Sequence, residues 1–284
     1  MRTLVIFAAI PLFYLSYPAQ SPAQENNPSH STLVATAYSQ QIFSEQLEPE
    51  KSLRKKMRSE QSDEQYAEWL KDYRTKQLSG WIQKAMWDEF VEKSNIGVTD
   101  DEIEEFNKAM NRLSAKQREE SEERRAQLKR ELKSADLSAE RKEEIKKQLE
   151  ILDELKAFAK QRAKRKSETL AVERQVSRQF LLQWKINKAL YNKYGGRVIF
   201  QQAGWEPLDA YKKFIDQSDK KKVYYIIDPE LKAAYEAYKQ ELKDSFEDYY
   251  RGGHAFMDKS EADFYFEKPW WLWSEEEQKR FRVQ

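Results

Sequence analysis

The sequence contains no cysteine, seven glycines, eight prolines and two histidines, His30 and His254. Without cysteine the chain can form neither a disulfide nor a thiolate metal site, and it cannot carry a lipid anchor attached through sulfur. The few glycines and histidines also supply no dinucleotide-binding fingerprint, no nucleophile motif and no metal-ligand spacing. We therefore expect no catalytic residue, no cofactor and no metal, and we favour a binding protein over an enzyme.

Charged and aromatic residues, in contrast, are plentiful. Stability without disulfides must come from burying apolar surface, and 284 residues with 13% aromatic side chains are enough for one large domain or two small ones. The 50 Lys and Arg residues nearly balance the 49 Asp and Glu residues. A balanced surface does not favour nucleic acid or anionic lipid as a general partner.

The N-terminus has the pattern of an export signal. Arg2 precedes an apolar run, residues 4–15, which is too short to span a bilayer as a mature helix, and Ser21 and Ala23 are small residues of the kind that a signal peptidase reads. We interpret residues 1–23 as a cleaved signal peptide, with an uncleaved membrane anchor as the alternative. The protein is then periplasmic or secreted and does not span the membrane after cleavage.

Three patterns follow in the first third of the mature chain. Residues 33–50 start with a β-prone run, which predicts a short strand, a turn and a helix. Between 64 and 94 apolar residues recur at three- and four-residue steps, which predicts a helix with a core face or, alternatively, an aromatic binding face. Gly97 suits the end of that helix, and Thr99 with Glu102 forms a capping box for the next one.

These residues resemble a known family. The segment "RTKQLSGWIQKAMWDEFVEKSNIGVTDDEIEEF", 74–106, is similar to the N-terminal helical region of SurA-type periplasmic folding factors, and "VATAYSQQIFSEQLE", 34–48, resembles the segment that opens those domains. Tyr38-Ser39 stands where the family usually has Asn-Gly, and no parvulin prolyl-isomerase domain follows. The resemblance implies a folding factor that binds unfolded or envelope protein clients without isomerase activity.

The next segment, 107–178, is dense in Lys, Arg and Glu and nearly free of Gly and Pro. Apolar residues at helical steps predict helix throughout, except that the stretch 133–145 interrupts the pattern, and Ser138 with Glu140 can start a second helix there. We predict two antiparallel helices, about 108–133 and 138–190, that pack as a long hairpin. A solvated face is the favoured interpretation of the charges, over nucleic-acid binding.

The apolar pattern returns at 176–194, and we expect this stripe to pack against the stripe at 64–94. Gly195 and Gly196 then predict a left-handed helix end, followed by a short strand at 197–202 and a helix from Pro207. A second strand at 220–228 precedes a helix from Pro229, and the two strands flanking the 207–217 helix could pair. A ligand site at Arg197, Gln201 and Gln202 is the alternative to this structural role.

The C-terminal part ends in an aromatic cluster. Trp270, Trp271 and Trp273 could stack on sugar rings or on peptide side chains, although closure of a core is the favoured interpretation, and Ser274 with Glu277 caps a final helix. The predicted fold class is mainly α: a helical body with a long charged helical hairpin and a small α+β C-terminal part. Residues 1–23 are predicted to form a signal peptide, 24–32 a disordered leader and 33–107 a SurA-like helical region. The hairpin follows at 108–175, and a return helix with the α+β part at 176–284.

Two classes of function remain from the sequence. The first is an exported, non-catalytic chaperone-like or scaffold protein that binds extended or partly folded polypeptides. The second is an envelope carbohydrate-binding protein or hydrolase with a site near Arg197, Gln201 and the C-terminal tryptophans. The candidate client- or ligand-binding residues are Trp69, Trp81, Arg197, Gln201, Trp270, Trp271 and Trp273.

Overall fold

The computed structural model describes residues 31–134, 137–164, 166–201, 204–251 and 256–280. The predicted signal peptide, nearly all of the leader, Gln202 and His254 lie outside the described residues. The chain divides into two compact units. Among the described residues, the first unit combines 31–96 with Lys185–Glu267, and the second combines Gly97–Trp184 with 268–280.

The fold is mainly α, as predicted, with two small antiparallel sheets. The helices are α1 Lys51–Glu60, α2 Asp63–Lys93, α3 Asp100–Glu131, α4 Ala139–Lys164, α5 Lys166–Tyr194, α6 Leu208–Lys220, α7 Pro229–Arg251, α8 Lys259–Glu267 and α9 Glu275–Arg280, with 3-10 turns at Ser44–Leu47 and Trp270–Leu272. The strands are β1 Leu33–Ala37, β2 Gln40–Phe43, β3 Val198–Gln201, β4 Gly204–Glu206, β5 Tyr224–Ile226 and β6 Phe256–Met257.

Both sheets belong to the first unit. One has the order β2-β1-β5 and the other the order β4-β3-β6, and every pairing is antiparallel. The predicted pairing of the two strands that flank α6 is wrong, because β5 pairs with β1 from the N-terminal end of the unit whereas β3 pairs with β4 and β6. Strands of three to five residues carry too little pattern to fix partners that are far apart in the chain.

The first two strands form a hairpin where the sequence predicted one strand, a turn and a helix. Ile42 and Phe43 belong to β2, and only the 3-10 turn follows. Tyr38 turns the chain with a φ of 51°, a left-handed conformation that is uncommon for a tyrosine. The backbone N–H of Tyr38 donates to the carbonyl oxygen of Val223 at 2.7 Å, which ties the turn to the segment before β5.

Helix α2 supplies much of the core of the first unit. The apolar stripe predicted at 64–94 is a core face over much of its length, and its buried members are Tyr66, Leu78, Ile82, Ala85, Met86 and Phe90. Its main helical partner is α7, and not the 176–194 stripe that we expected. The residues of that stripe are divided between the two units. Ile186, Leu190 and Tyr191 are buried in the first unit, and Phe180 and Trp184 pack in the second.

Short-range capping signals are largely confirmed. Thr99 with Glu102 and Ser274 with Glu277 form the predicted reciprocal hydrogen bonds at the starts of α3 and α9. The end of α2 differs from the prediction, because Asn95, and not Gly97, takes the left-handed conformation with a φ of 49°. Asparagine tolerates this region better than most residues, and the left-handed residue that follows the helix therefore lies two positions before the glycine.

In the second unit α3 and α4 form the predicted antiparallel hairpin. Ion pairs join positions that rise along α3 to positions that fall along α4, namely Glu122 to Lys156 at 2.7 Å, Arg125 to Asp153 at 2.5 Å and Glu131 to Arg141 at 2.8 Å. Leu128 and Ile145 are fully buried beneath these pairs. Exposed ion pairs contribute little to the stability of a fold. The hairpin is therefore stabilised mainly by the packing of its two helices around the buried aliphatic side chains.

Candidate functional site

An open cleft of about 530 Å³ lies beside the glycine turn that follows α5 in the first unit. Its walls come from the end of α5, the glycine turn with Arg197, the start of α6, β6 and the first turns of α8. The side chains that carry charge or a hydroxyl there are Tyr191, Arg197, Asp209, Lys259 and Asp263. Two cations thus face two carboxylates, so the cleft has no excess of either sign.

The two glycines have structural reasons to be glycine. Gly195 ends α5 in the left-handed conformation, with a φ of 58°, and its N–H donates to the carbonyl oxygen of Tyr191 at 2.7 Å, as predicted for a helix end. Gly196 has a φ of 100°, and a Cβ added there would collide with the side chain of Asp209. The turn therefore brings the chain close against the start of α6.

Arg197 is held by Asp209. The backbone N–H and Nε of Arg197 donate to Oδ2 of Asp209 at 2.8 and 3.1 Å, and Nη2 donates to Oδ1 at 3.2 Å. The guanidinium also lies 5.2 Å from the ring centroid of Phe256 on β6. A ligand anion at Arg197 would have to compete with this bidentate carboxylate, so the residue acts first as a clamp between β3 and α6.

The opposite wall is a second polar group of three side chains. The hydroxyl of Tyr191 donates to Oδ1 of Asp263 at 2.8 Å, and Nζ of Lys259 donates to Oδ2 at 2.6 Å. Burial, with help from Asp263, raises the pKa of Tyr191 to about 12, and the hydrogen bonds from Lys259 and Tyr191 lower the pKa of Asp263. Neither group exchanges a proton near neutral pH, which argues against acid-base catalysis by this pair.

Gln201, the other residue predicted near this turn, ends β3 in register with Gly204. The strand that was predicted at 197–202 is thus present over Val198–Gln201, and β4 follows it where the sequence predicted the approach to a helix. Pro207 directly precedes α6, close to its predicted place in the first turn. The sequence did not predict β4, because a strand of three residues, Gly, Trp and Glu, is too short to show an alternation of apolar and polar side chains.

A group that the sequence did not single out is Glu206, at the end of β4. Its side chain is half-buried, and burial raises the pKa of its carboxyl to about 7. The pKa of the Tyr265 phenol is raised mainly by its own burial and, to a smaller extent, by the negative charge of the nearby Glu206. Burial is the signal that identifies Glu206, and burial could not be read from a sequence that contains 49 acidic residues.

The C-terminal tryptophans are part of the second unit. Trp271 is 6% exposed, and its ring centroid lies 5.1 Å from Phe106, 5.8 Å from Phe180 and 5.3 Å from Trp184. Trp270 is half-buried against Phe180 and Trp271. Such tilted and edge-on arrangements of neighbouring rings are typical of an aromatic core.

Trp273, Trp69 and Trp81 are each half-buried. Nε1 of Trp273 donates to the carbonyl oxygen of Lys268 at 2.9 Å, which ties the last 3-10 turn to the residues before it. In the first unit, Trp69 lies between the rings of Tyr66 and Tyr73 on α2, and Nε1 of Trp81 donates to the carbonyl oxygen of Gln46 at 3.4 Å. Each indole therefore has a structural contact, and each also keeps an accessible edge.

The largest exposed apolar side chains of the hairpin form a row along α4. Ile151, Leu155 and Phe158 are 56%, 44% and 64% exposed, and spacings of four and three residues place them on one side of the helix. We call these three residues the α4 stripe. The apolar residues at helical steps within 107–178 predicted the helix, but they could not separate the face that packs on α3 from the face that does not.

Within the described ranges, 31–134, 137–164, 166–201, 204–251 and 256–280, no cluster of His, Asp and Glu has the arrangement of a metal site. Over the same ranges, no helix combines the length and the apolar character needed to cross a bilayer. Comparisons with protein-family models, with curated proteins and with solved structures gave no match to this chain.

Proposed function

We propose that the protein is an exported, non-catalytic chaperone-like or scaffold protein, and that it binds extended or partly folded polypeptides of the cell envelope along the α4 stripe. The observation that carries this proposal is the exposure of Ile151, Leu155 and Phe158 in one row. Large apolar side chains that stand together on a surface mark interaction sites more often than isolated ones do.

The opposite side of α4 supports this assignment. Ile145 is fully buried, and Lys156 and Asp153 form ion pairs with Glu122 and Arg125 on α3. The hairpin is thus closed on one side by its own contacts, and the α4 stripe is not needed to hold it together. A rigid helix that presents spaced apolar anchors among charges can accept short apolar segments of many sequences while it stays soluble.

The alternative, a carbohydrate-binding protein or hydrolase, has less support from the side chains that would form its site. Trp271 is buried among aromatic rings, and Arg197 is occupied by Asp209. Sugar stacking requires an open aromatic face, and hydrolysis requires a positioned pair of titrating groups. We therefore take polypeptide binding as the primary proposal.

Suppression of client aggregation tests the proposal directly. A chemically denatured client is diluted into buffer with and without the protein, and light scattering is followed for several unrelated clients. We expect the parent protein to suppress scattering and the triple variant Ile151→Gln, Leu155→Gln, Phe158→Gln to lose most of this effect. Glutamine is a good helix former, so the helix itself should persist.

A matched control uses apolar residues of similar exposure in the other unit. Tyr225 and Ile227 are 66% and 47% exposed, and the double variant Tyr225→Gln, Ile227→Gln should suppress scattering as the parent does. The proposal fails if the parent does not suppress aggregation, or if the triple variant, with an unchanged melting temperature, suppresses it equally well.

A further inference from the structure

The exposed apolar row of the second unit continues beyond the α4 stripe. On α5, Val172 and Val176 are 59% and 41% exposed. The steps from Ile151 through Leu155, Phe158 and Val172 to Val176 are four, three, fourteen and four residues. Because fourteen residues are two heptads, all five positions fit the a and d positions of one seven-residue repeat, which is the pattern of a coiled-coil contact. We call these five residues the hairpin seam.

Helices α4 and α5 follow one another along α3. Arg125 of α3 pairs with Asp153 of α4, and nearer the start of α3 the hydroxyl of Ser177 on α5 donates to Oδ1 of Asn107 at 2.7 Å. Both helices therefore run antiparallel to α3. Ser177 is buried at its contact, whereas the neighbouring Val176 is exposed. The hairpin seam thus lies on a side of α4 and α5 that α3 does not cover.

The hairpin seam has the dimensions of a helix-helix contact. From Ile151 to Val176 it extends over about 38 Å at 1.5 Å per residue. A fully exposed side chain of this size presents on the order of 150–200 Å², so the exposed fractions leave about 400–500 Å² in one row. Two such seams in contact would bury about 800–1,000 Å² before any flanking side chain is counted, which approaches the roughly 1,200 Å² of a stable interface.

We propose that the hairpin seam is a dimer interface, and that its occupant is the same seam of a second copy of this chain, packed antiparallel about a two-fold axis. In that register Ile151 lies opposite Val176 of the second copy, and Leu155 lies opposite Val172 of the second copy. The match follows from the spacing, because four residues separate the two members at each end of the seam. The axis repeats both contacts, so four layers form, each of which joins a longer side chain to a valine.

Self-association of this kind would regulate the α4 stripe, because the stripe is part of the hairpin seam. A short client segment needs only the stripe, whereas the second copy covers the whole seam. Clients and the second copy would therefore compete, and dilution or an excess of client would favour the open monomer. This consequence rests on the proposed function, whereas the dimer itself does not.

The centre of the seam gives the dimer a particular dependence on salt. The run 160–166 contains five Lys or Arg residues and no acid, and in the sequence it lies between the two ends of the seam. A two-fold axis between those ends brings the two basic runs near each other, and salt screens the repulsion between them. Added salt should therefore strengthen the dimer, whereas it would weaken a dimer held by ion pairs.

Size-exclusion chromatography with light scattering, on the full chain over a series of concentrations, tests the inference. The variant Val172→Gln, Val176→Gln should need at least about tenfold more protein to dimerise than the parent. Glutamine preserves the helix, and circular dichroism verifies the fold. The matched control Tyr225→Gln, Ile227→Gln changes exposed residues of the other unit and should dimerise as the parent does.

The absence of cysteine from the chain allows a direct test of the register. Leu155→Cys and Val172→Cys proteins with tags of different size are treated with a short bismaleimide, separately and as a mixture. The antiparallel register predicts a covalent heterodimer in the mixture and little cross-linking of either protein alone. This measurement does not depend on a variant that weakens the interface.

Four results would overturn the inference. They are a parent that stays monomeric at every concentration, a Val172→Gln, Val176→Gln protein that dimerises as the parent does, a dimer that dissociates in high salt, and Leu155→Cys protein that cross-links to itself but not to Val172→Cys protein. Aggregation assays separate this inference from the proposed function. The Val172→Gln, Val176→Gln variant keeps the α4 stripe and should still protect clients, and a monomeric parent that protects clients would refute the dimer alone.

Discussion

Asp209 holds Arg197 by three hydrogen bonds, one from the backbone N–H and two from the guanidinium. The carboxylate comes from the first turn of α6 and the arginine from the residue before β3, so the pair fixes how the chain leaves the end of α5. Gly196 makes this approach possible, because a Cβ at Gly196 would occupy space that the Asp209 side chain fills. Three consecutive residues, 195–197, thus form one joint.

This joint predicts different effects at neighbouring glycines. Gly195→Ala should lower the free energy of unfolding by about 1 kcal/mol, because alanine resists a left-handed φ but would meet no atom within 4 Å. Gly196→Ala should lower it by about 2 kcal/mol or more, because strain and a collision add. Urea denaturation of both variants measures the difference. Equal midpoints would show that the approach of Asp209 does not limit residue 196.

The stability of the second unit should depend on its aromatic core. Trp271→Ala should destabilise that unit by about 3–5 kcal/mol, since it removes a buried indole that contacts four other aromatic rings. Trp273→Ala should cost clearly less, because Trp273 is half-buried whereas Trp271 is buried. Thermal melts followed by tryptophan fluorescence compare the two. A stable Trp271→Ala protein that has lost saturable binding of a glycan would instead favour the carbohydrate alternative.

Local signals explain what could be predicted from the sequence. The capping boxes at Thr99 and Ser274 and the helix end at Gly195 each depend on residues within four positions, and all three are present. Asn95 and Tyr38 show where the local prediction failed, because Asn95 takes the left-handed conformation that was expected near Gly97, and Tyr38 takes one that is uncommon for tyrosine.

Non-local pairing explains what could not be predicted. The pairing of Ala35 with Ile226 joins segments that are far apart in the chain, and no property of either short strand names the other. The candidate surfaces have the same limitation. The exposure of Phe158 and the burial of Glu206 depend on which face of an element meets a neighbour, and composition or charge totals do not contain that information.

Export remains a prediction from the N-terminal sequence. The mature protein from an envelope fraction should begin within a few residues of Gln24, because Ser21 and Ala23 precede the expected cut. Replacing both by phenylalanine should block cleavage and leave a larger species attached to the membrane. N-terminal sequencing measures the first outcome and gel mobility the second. An intact Met1 on the envelope-purified parent protein would contradict cleavage and support the anchor alternative.

The pH dependence of stability should report the burial of Glu206. Burial raises the pKa of its carboxyl to about 7 in the folded protein, so the folded state keeps a proton that the unfolded state releases near its ordinary pKa of 4.5. The folded protein therefore loses stability progressively as the pH rises from about 4.5 to about 7, by up to about 3 kcal/mol, and the loss is constant above that range. Glu206→Gln removes the titrating group and should melt like the parent at pH 4 but at a higher temperature at pH 8.

Glu277 provides a control of opposite sign. Its pKa is lowered, chiefly by the hydrogen bond from Lys268 and also by Ser274, so its ionised form stabilises the fold at pH 8 and this contribution disappears as the pH falls through the lowered pKa. Glu277→Gln should therefore melt below the parent at pH 8, whereas Glu206→Gln should melt above it. The two shifts separate burial of a carboxyl from its pairing, because a general effect of removing one negative charge would move both variants in the same direction. A Glu206→Gln protein that melts below the parent at pH 8 would mean that the ionised carboxylate has a partner in the fold and that burial does not control its titration.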